Sequence, residues 1–575
     1  MTSQASKRWP VWSALTLAIL APGAHADERE SLETLRQTTL GLIQALVDSG
    51  TLSRDKADAL LRAAAVQPGA TPATPTAPAA TRPVQRVPYV PESVRVQMRN
   101  EIKEEIVNQA RAERWGVPNA TPSWTERIKI DGDIRYRHQV DALSNDNTPA
   151  SSYLTAEVGN NNGLTRAADF GAYSVTASGG VISTASTTDG RERERLRMRL
   201  GITGKVSDEV GVGIRLATGN TTDRVSTNQT LGQGFNKYQL LVDRAFIRLD
   251  PAEWLTVQGG RIPNPWYSTE MVWSENLNFE GLSATVRTPQ AVLDGQLTPF
   301  MTVGWFPLRE ASPPGRSGRS LVGTQLGANW DLSTRTRVKL GLALYDYRHM
   351  EGRTDNAYQL VTTASGSSQV ISVSALPRYG QYEYGSSLRQ KGNTLFETNP
   401  MINGVDTPPI WGLAYKFRPL VLTASAEFKQ FSPFNIVVAG EYVNNTAFDV
   451  NDFQQRATEA TLQGVDPKGK RDGYQLKLQL GDLDLREFGD WQLQATYRRV
   501  GSDAVLDAFT DSDLGLGGTN VQGFTLGLNM ALYRNTSFGV RYLTARTIDT
   551  PLNSAAGANA SFKANSLQVD LNVRF

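Results

Sequence analysis

Basic side chains recur at every second position in several segments of this 575-residue chain. The most regular run is Arg195, Arg197 and Arg199. Residues two apart on a strand point to the same side, so this run would place three guanidinium groups along one wall. In a water-filled channel such a wall favours anions over cations. The residues predicted to line it are Arg127, Lys129, Arg135, Arg137, Arg195, Arg197, Arg199, Arg215, Arg337 and Lys339, with Lys477, Arg498 and Arg541 on the same parity.

Acidic side chains share this parity and leave a second interpretation open. They are Asp131, Asp133, Glu427, Glu441 and Asp570. The arginines would then fill a polar wall and pair with these carboxylates, with no effect on ion selectivity. The sequence supports both interpretations about equally.

Residue sets that support catalysis are not evident. The chain has no cysteine, which excludes thiolate metal sites and thiol nucleophiles. His138 and His349 lie on separate segments without metal-ligand spacing. Residues 464–471 nearly match a phosphate-binding loop, but Arg471 stands where a serine or threonine must bind magnesium. We therefore expect no enzymatic activity, cofactor or metal, and the even charge balance predicts no nucleic-acid partner.

One acidic segment has carboxylates that could form a metal site. Asp507, Asp511 and Asp513 could together hold a calcium ion in a loop. The favoured interpretation is a solvated acidic loop on the outside of the protein.

The elements that carry the basic residues are strands. From residue 127 onward apolar and polar residues alternate, as where Leu340, Leu342 and Leu344 are separated by Gly341 and Ala343. The strands run for about ten to thirteen residues, which suits a tilted bilayer crossing. Their connections alternate between seven short turns and eight long loops. This predicts an all-β transmembrane antiparallel barrel of about sixteen strands, with eighteen as the alternative because residues 349–418 contain further strand-like stretches.

The first 26 residues have the composition of a signal peptide. Lys7 and Arg8 precede an apolar stretch at 9–20 and a small-residue cleavage site at 24–26. Cleavage there would remove two of the 59 basic residues and leave 57, equal to the 57 acidic ones. The sequence thus predicts an exported chain.

Three further segments are predicted before the barrel at 125–575. Residues 27–66 have the apolar spacing of a helical hairpin, 67–91 form a linker rich in proline, alanine and threonine, and 92–124 form a charged helix and connector. The helix has an apolar stripe made of Val94, Met98, Ile102 and Ile106. The stripe could pack against copies of itself as a coiled coil, or the helix could lie alone against the barrel. We expect this extension to lie in the periplasm.

The last segment alternates up to a terminal phenylalanine. Its apolar members are Leu567, Val569, Leu571, Val573 and Phe575. Such a strand looks like the signal by which the barrel assembly machinery recognises and inserts outer-membrane barrels. We therefore predict that these residues form the assembly signal and the closing strand.

The mature chain resembles the bacterial putative porin family. The resemblance rests on the helical region at 27–66, on 87–92 (Val-Pro-Tyr-Val-Pro-Glu), on 115–120 with Trp124, and on 260–265 (Gly-Arg-Ile-Pro-Asn-Pro). It implies a barrel that lets solutes pass, and it implies no particular substrate.

Similarity to sixteen-stranded general porins suggests a role for residues 263–279, the third long loop. In those proteins this loop folds into the barrel. Here it would narrow the pore, with its acids facing the arginines of residues 195–199; an aromatic cap or a subunit contact is the alternative. The residues concerned are Trp266, Tyr267, Glu270, Trp273 and Glu275.

These patterns predict an outer-membrane porin for passive diffusion of small hydrophilic solutes, with a leaning towards anions. A structural tether that binds peptidoglycan through the N-terminal helices is the first alternative, and an enzymatic barrel is the second. The expected partners are outer-membrane lipid, the assembly machinery and the solutes, together with a homotrimer and peptidoglycan as further candidates.

Overall fold

The computed structural model describes residues 127–148, 186–312, 316–354, 380–385, 387–398, 410–431, 433–457, 467–549 and 561–575, and five short strands between them. The predicted signal peptide, helical hairpin, linker and charged helix lie outside the described residues and stay predictions. Among the described residues, no helix has the length and apolar character needed to cross a membrane.

Sixteen long strands form one sheet in the described part of the chain. In chain order they are β1 Ile128–Leu143, β2 Arg191–Lys205, β3 Val210–Ala217, β4 Leu241–Ala252, β5 Leu255–Pro263, β6 Asn278–Arg287, β7 Leu297–Arg309, β8 Arg319–Ser333, β9 Thr336–Arg348, β10 Pro419–Phe428, β11 Asn435–Asn445, β12 Asp472–Gly481, β13 Trp491–Val500, β14 Val521–Tyr533, β15 Thr536–Thr547 and β16 Lys563–Arg574. Consecutive strands pair antiparallel, and β1 also pairs with β16, which closes the sheet into a barrel. The predicted barrel is confirmed.

The alternating apolar and polar residues lie on opposite faces of the barrel wall. On β9, Leu340, Leu342 and Leu344 are 40%, 46% and 41% exposed on the outside, whereas Ala343 and Tyr345 point inward and are buried. Leucines exposed in rows would associate in water, but they match the hydrocarbon of a bilayer. The outer face therefore meets lipid, and the polar parity faces the lumen.

The connections fall into two classes at the two ends of the barrel. Seven turns of two to nine residues alternate with eight connections of nine or more residues. The long connection at 349–418 contains the short strands Leu360–Thr362 and Ser368–Val370, which pair with each other and not with the barrel. The described strands thus support sixteen rather than eighteen.

Smaller elements lie in the long connections. The helices α1 Val450–Arg456 and α2 Pro467–Arg471 occupy the connection between β11 and β12. A two-residue strand, Gln229–Thr230, pairs with β2. Strands Leu395–Glu397 and Trp411–Leu413 pair with each other, and the first also pairs with Leu164–Thr165.

The closure of the barrel brings the chain terminus against the first strand. The backbone N–H of Gly132 donates to the Phe575 carbonyl oxygen at 3.0 Å, and the N–H of Phe575 donates to the Gly132 carbonyl at 3.1 Å. The Phe575 ring covers Gly132, where a Cβ would lie 2.5 Å from the ring and 2.7 Å from the Arg199 carbonyl oxygen. On β16, Leu567, Leu571, Val573 and Phe575 are exposed on the outer face with Val569 partly so. Their role as an assembly signal stays a prediction.

This contact predicts that Gly132→Ala weakens barrel closure. The added methyl group must displace the Phe575 ring or the β2 backbone, which we expect to cost about 1–3 kcal/mol. The midpoint of urea unfolding in detergent, followed by the gel mobility of the folded barrel, measures this. Gly440→Ala is the matched control, because its nearest contact is a carbonyl oxygen at 3.6 Å. Equal midpoints for both variants would contradict the proposed contact.

Candidate functional site

Loop 3, defined here as residues 264–277 between β5 and β6, lies inside the barrel. Trp266 is buried, with its ring edge-on to Phe306 at 6.1 Å and to Tyr345 at 5.2 Å. Trp273 is also buried and contacts Phe279 at 4.9 Å and Tyr345 at 5.0 Å. Both tryptophans are therefore held against the inner wall formed by β6, β7 and β9.

Polar contacts fix the same loop to the following strands. The Tyr267 hydroxyl donates to Oγ of Ser425 on β10 at 2.6 Å, and the Tyr267 N–H donates to Oε1 of Gln325 on β8 at 2.8 Å. The N–H of Thr269 donates to Oε1 of Glu441 on β11 at 2.8 Å. Loop 3 thus lies along the wall from β6 to β11.

The acids of loop 3 do not meet the arginines that the sequence suggested. Glu270 forms an ion pair with Arg498 of β13 at 3.4 Å, and Glu275 is exposed without an ion pair among the described residues. The expectation that both face Arg195, Arg197 and Arg199 is wrong for Glu270. The reason is that the anchors on β8, β10 and β11 carry this part of the loop away from β2.

Loop 7, defined as residues 501–520 between β13 and β14, also folds inward. Val505, Leu506 and Leu514 are buried, and Phe509 stacks on Tyr347 with a 7° angle between the rings at 6.1 Å. The interpretation of this segment as a solvated acidic loop is therefore wrong. Large apolar residues in an external loop indicate that it folds inward, and loop 7 has them just as loop 3 has its tryptophans.

The acids of loop 7 bind arginines of the wall. Asp513 lies 3.5 Å from Arg137 and 3.2 Å from Arg541, and Asp511 lies 3.4 Å from Arg498. Asp507 instead accepts a hydrogen bond from the Tyr384 hydroxyl. These contacts replace the calcium site that was considered for the three acids.

Burial and neighbouring charges shift the two loop 7 carboxylates in opposite directions. Burial raises the pKa of Asp511, and the negative charge of Asp513 raises it further. Burial also acts to raise the pKa of Asp513, but Arg137 and Arg541 outweigh it and hold that pKa well below its ordinary range. The attraction of Asp513 for the arginines is therefore fully present above its ordinary pKa, and it is lost only as the pH falls through the depressed value.

Loops 3 and 7 contact each other within the lumen. The N–H of Ser274 donates to the Phe509 carbonyl at 2.8 Å, and the N–H of Asp511 donates to the Glu270 carbonyl at 3.2 Å. Trp273 and Phe509 have ring centroids 5.9 Å apart. The two loops thus form one continuous layer across part of the barrel.

Six of the inward-facing arginines of β1 to β4 form what we call the arginine wall. Its members are Arg135, Arg195, Arg197, Arg199, Arg215 and Arg244. Arg197 and Arg199 share the carboxylate of Asp133, at 2.7 Å and 2.6 Å. Arg215 is paired with Asp243.

Other members of the wall have neutral partners or a distant acid. Arg195 donates to Oε1 of Gln139 at 3.0 Å, and Arg244 donates to Oδ1 of Asn278 at 2.7 Å. Arg135 lies 3.9 Å from Asp570, whose carboxylate binds Arg137 at 2.7 Å. The wall therefore has more cations than carboxylates.

The remaining predicted basic residues lie nearer the end of the barrel that has the short turns. Arg127 and Lys129 are exposed. Arg337 is exposed and paired with Asp331 at 2.7 Å. Lys339 instead places its Nζ 4.3 Å from the centre of the Tyr267 ring, against loop 3.

Arg244 is a member of the arginine wall that parity did not identify. The pairing of β3 and β4 skips one residue at Asp243, between the pairs Arg215–Arg244 and Leu216–Val242. This bulge lets Asp243 and Arg244 both reach interior partners, Arg215 and Asn278. Strict alternation cannot predict two consecutive inward side chains.

Two cavities lie on either side of the aromatic contacts of loop 3. One, of about 500 Å³, lies among loop 3, the connection after β3 and the ends of β4 and β6 to β8. The other, of about 520 Å³, is lined by Arg248, Arg287 and Lys339 with Trp266 and Tyr267. Trp266 lines the second cavity and Phe306 the first, so their ring contact stands between them.

The loop 7 ion pairs predict that Asp513→Asn destabilises the barrel. Arg541 loses its carboxylate partner and the buried Arg137 keeps only Asp570, which we expect to cost about 3 kcal/mol. Thermal unfolding in detergent measures the change in Tm. Asp331→Asn is the matched control, because the Asp331–Arg337 pair is more than half exposed and should contribute less than about 1 kcal/mol. A Tm shift no larger than that of the control would show that loop 7 is not held by these charges.

Among solved structures, the chain is similar to Salmonella typhi OmpF in complex with daunomycin (12% identity, TM-score 0.36) and to the outer membrane channel DcaP of Acinetobacter baumannii (11%, 0.36), each match covering 78% of this chain and 97% of the other. A loop-deletion mutant of Vibrio cholerae OmpT matches at 8% identity and TM-score 0.34, covering 78% and 100%.

Likeness at these TM-scores carries no argument about function. No curated protein matches the chain in sequence. A family model described as putative porin, however, matches residues 36–575, which is nearly the whole chain. Together with the closed sixteen-stranded barrel, this match shows that the chain belongs to the putative porin family of outer-membrane proteins.

Proposed function

We propose that this porin is a diffusion channel for small hydrophilic solutes that leans towards anions and is narrowed by loops 3 and 7. The observation that carries the proposal is the arginine wall. Loop 3 lies along β6 to β11, and loop 7 packs on β14 to β16 and reaches Arg137 of β1, so the passage that we propose runs beside the arginines of β1 to β4. Solutes would therefore pass along the arginines.

The charge balance of this passage supports an anion preference. The six arginines of the wall have Asp133 and Asp243 as close carboxylate partners, and Asp570 is shared with Arg137. The acids of loop 7 are already bound to Arg137, Arg498 and Arg541. A net positive surface between low-dielectric walls focuses its field into the passage, which raises the local anion concentration.

The aromatic contacts of loop 3 support its role as a constriction. Trp266 and Trp273 fill the space between the loop and the wall, so that solutes cannot pass on that side. The proposed passage lies between the loops and the arginine wall, and it is bounded on one side by the hydrogen bond from Arg199 to Asn276 of loop 3 at 3.5 Å. A narrow passage would exclude larger solutes by size and orient dipolar ones.

Further parts of the functional prediction depend on residues that lie outside the described ones. A periplasmic position of residues 27–124, a coiled coil within them and their binding to peptidoglycan all stay predictions. Assembly into a homotrimer and recognition by the assembly machinery also stay predictions. The diffusion channel is preferred over the tether because the described lumen supplies a charged passage.

The proposed selectivity is tested by replacing arginines that have neutral partners. Arg195→Gln with Arg244→Gln removes two positive charges and leaves no carboxylate unpaired. In planar bilayers under a KCl gradient, the reversal potential should shift towards cations, with the anion-to-cation permeability ratio falling by roughly two- to threefold.

The control for this measurement is Arg127→Gln with Arg337→Gln, which removes the same charge from exposed positions near the short-turn end. It should shift the reversal potential much less. An unchanged reversal potential in the first variant, or an equal shift in both, would overturn the arginine wall as the selectivity element.

The proposed constriction is tested by releasing the polar anchors of loop 3. Tyr267→Phe with Gln325→Ala removes hydrogen bonds to β8 and β10 without changing charge. We expect a larger and noisier single-channel conductance and faster liposome swelling with large sugars. Thr336→Val is the control, because its hydroxyl donates to Gln430 in the exposed turn between β10 and β11, away from loop 3. A conductance like that of the control would show that loop 3 does not limit the passage.

A further inference from the structure

We propose that the cavity of about 500 Å³ beside the passage is a binding site for zwitterionic solutes with an apolar side chain, such as hydrophobic amino acids. The inference rests on the proposed channel function and names a solute class for it. A volume of 300–1,000 Å³ with a mostly apolar lining and a few polar groups is typical of small-molecule sites.

One wall of the cavity is apolar and built from distant parts of the chain. Its residues are Trp273, Leu277, Phe279, Phe306, Leu321 and Phe509. None of these side chains is more than 7% exposed. They come from loop 3, β6, β7, β8 and loop 7, and their ring contacts hold them in place. This wall would receive an aromatic or branched aliphatic group.

The facing wall is polar and comes from loop 2, defined as residues 218–240 between β3 and β4. It includes Thr218, Asn220, Thr221, Ser226 and Thr227. The Thr227 hydroxyl is buried and has no hydrogen-bond partner within the described residues. The side chains of this wall offer hydroxyl and amide groups to the polar end of a solute.

The charges around the cavity are mostly neutralised within the protein. Asp243 is paired with Arg215, and Glu280 with Arg261. Arg224 donates to the carbonyl oxygens of Ser387 and Leu388. Each of these groups is thus held by a partner and is less free to bind a solute.

Asp223 is the exception among the carboxylates of this lining. It accepts hydrogen bonds from the backbone N–H groups of Val225, at 3.2 Å, and of Ser226, and the charges of Arg195 and Arg224 act on it. Within the described residues, however, it forms no ion pair shorter than 4.0 Å. An ammonium group in the cavity would meet this carboxylate.

A complementary site for the solute carboxylate lies across the opening. Asn276 lines the cavity and also accepts a hydrogen bond from Arg199 at 3.5 Å, so the cavity adjoins the arginine wall. Arg195 is the wall arginine whose charge acts on Asp223. A solute with an ammonium group near Asp223 and a carboxylate near the arginines would place its side chain on the aromatic wall.

The test measures block of the ion current in planar bilayers by three probes, L-phenylalanine, phenylacetate and L-alanine. L-Phenylalanine should bind about tenfold more tightly than L-alanine, equal to about 1.4 kcal/mol for the apolar group. Asp223→Asn should weaken the binding of L-phenylalanine by a similar factor and leave the binding of phenylacetate unchanged. Leu388→Ala shortens an apolar side chain of the lining and should weaken the binding of both aromatic probes.

Asp189→Asn is the matched control, because it removes the charge of an exposed carboxylate outside the cavity. It should leave the block by all three probes unchanged. Equal block by L-phenylalanine and L-alanine, or an unchanged affinity for L-phenylalanine in Asp223→Asn, would overturn the site. The reversal potential recorded in the same bilayers separates this result from failure of the channel itself. An anion preference without selective block refutes the site alone, whereas absence of conductance or a cation preference refutes the proposed function.

Discussion

A chain segment that crosses lipid must pair its backbone N–H and carbonyl groups within the protein, because hydrocarbon supplies no partners. The pairing of β1 with β16 meets this requirement by removing both sheet edges. The other features follow from it. Every strand has one face towards lipid and one towards the lumen, and polar side chains can be placed only on the second.

The closed wall creates an interior that the loops then divide. Loop 3 and loop 7 bring tryptophan, phenylalanine and leucine into the lumen, where they pack against inward aromatic residues such as Tyr345 and Tyr347. Their acids are carried inward as well and must be paired, because a buried carboxylate without a partner is costly. Arg137, Arg498 and Arg541 supply those partners.

Much of the barrel could be predicted from the sequence, because strand periodicity is local. Alternation and connection length identified the sixteen strands, and apolar bulk around Trp266 and Trp273 pointed to loop 3. The partner of Glu270 could not be predicted, since it depends on which strands anchor the loop. Arg244 was missed because a bulge at Asp243 breaks the parity on which the prediction relied. The interpretation of loop 7 as solvated is wrong because its apolar residues, such as Val505, Leu506 and Phe509, pack inside the lumen.

The sequence by itself determined the barrel class, its strand order and the face on which each regular strand residue lies, because these follow from a period of two and from chain length. Only the tertiary structure decided which charges meet, as with Asp513 between Arg137 and Arg541. It also decided that loops 3 and 7 meet inside the lumen. Those features depend on contacts between residues hundreds of positions apart, and no local pattern specifies them.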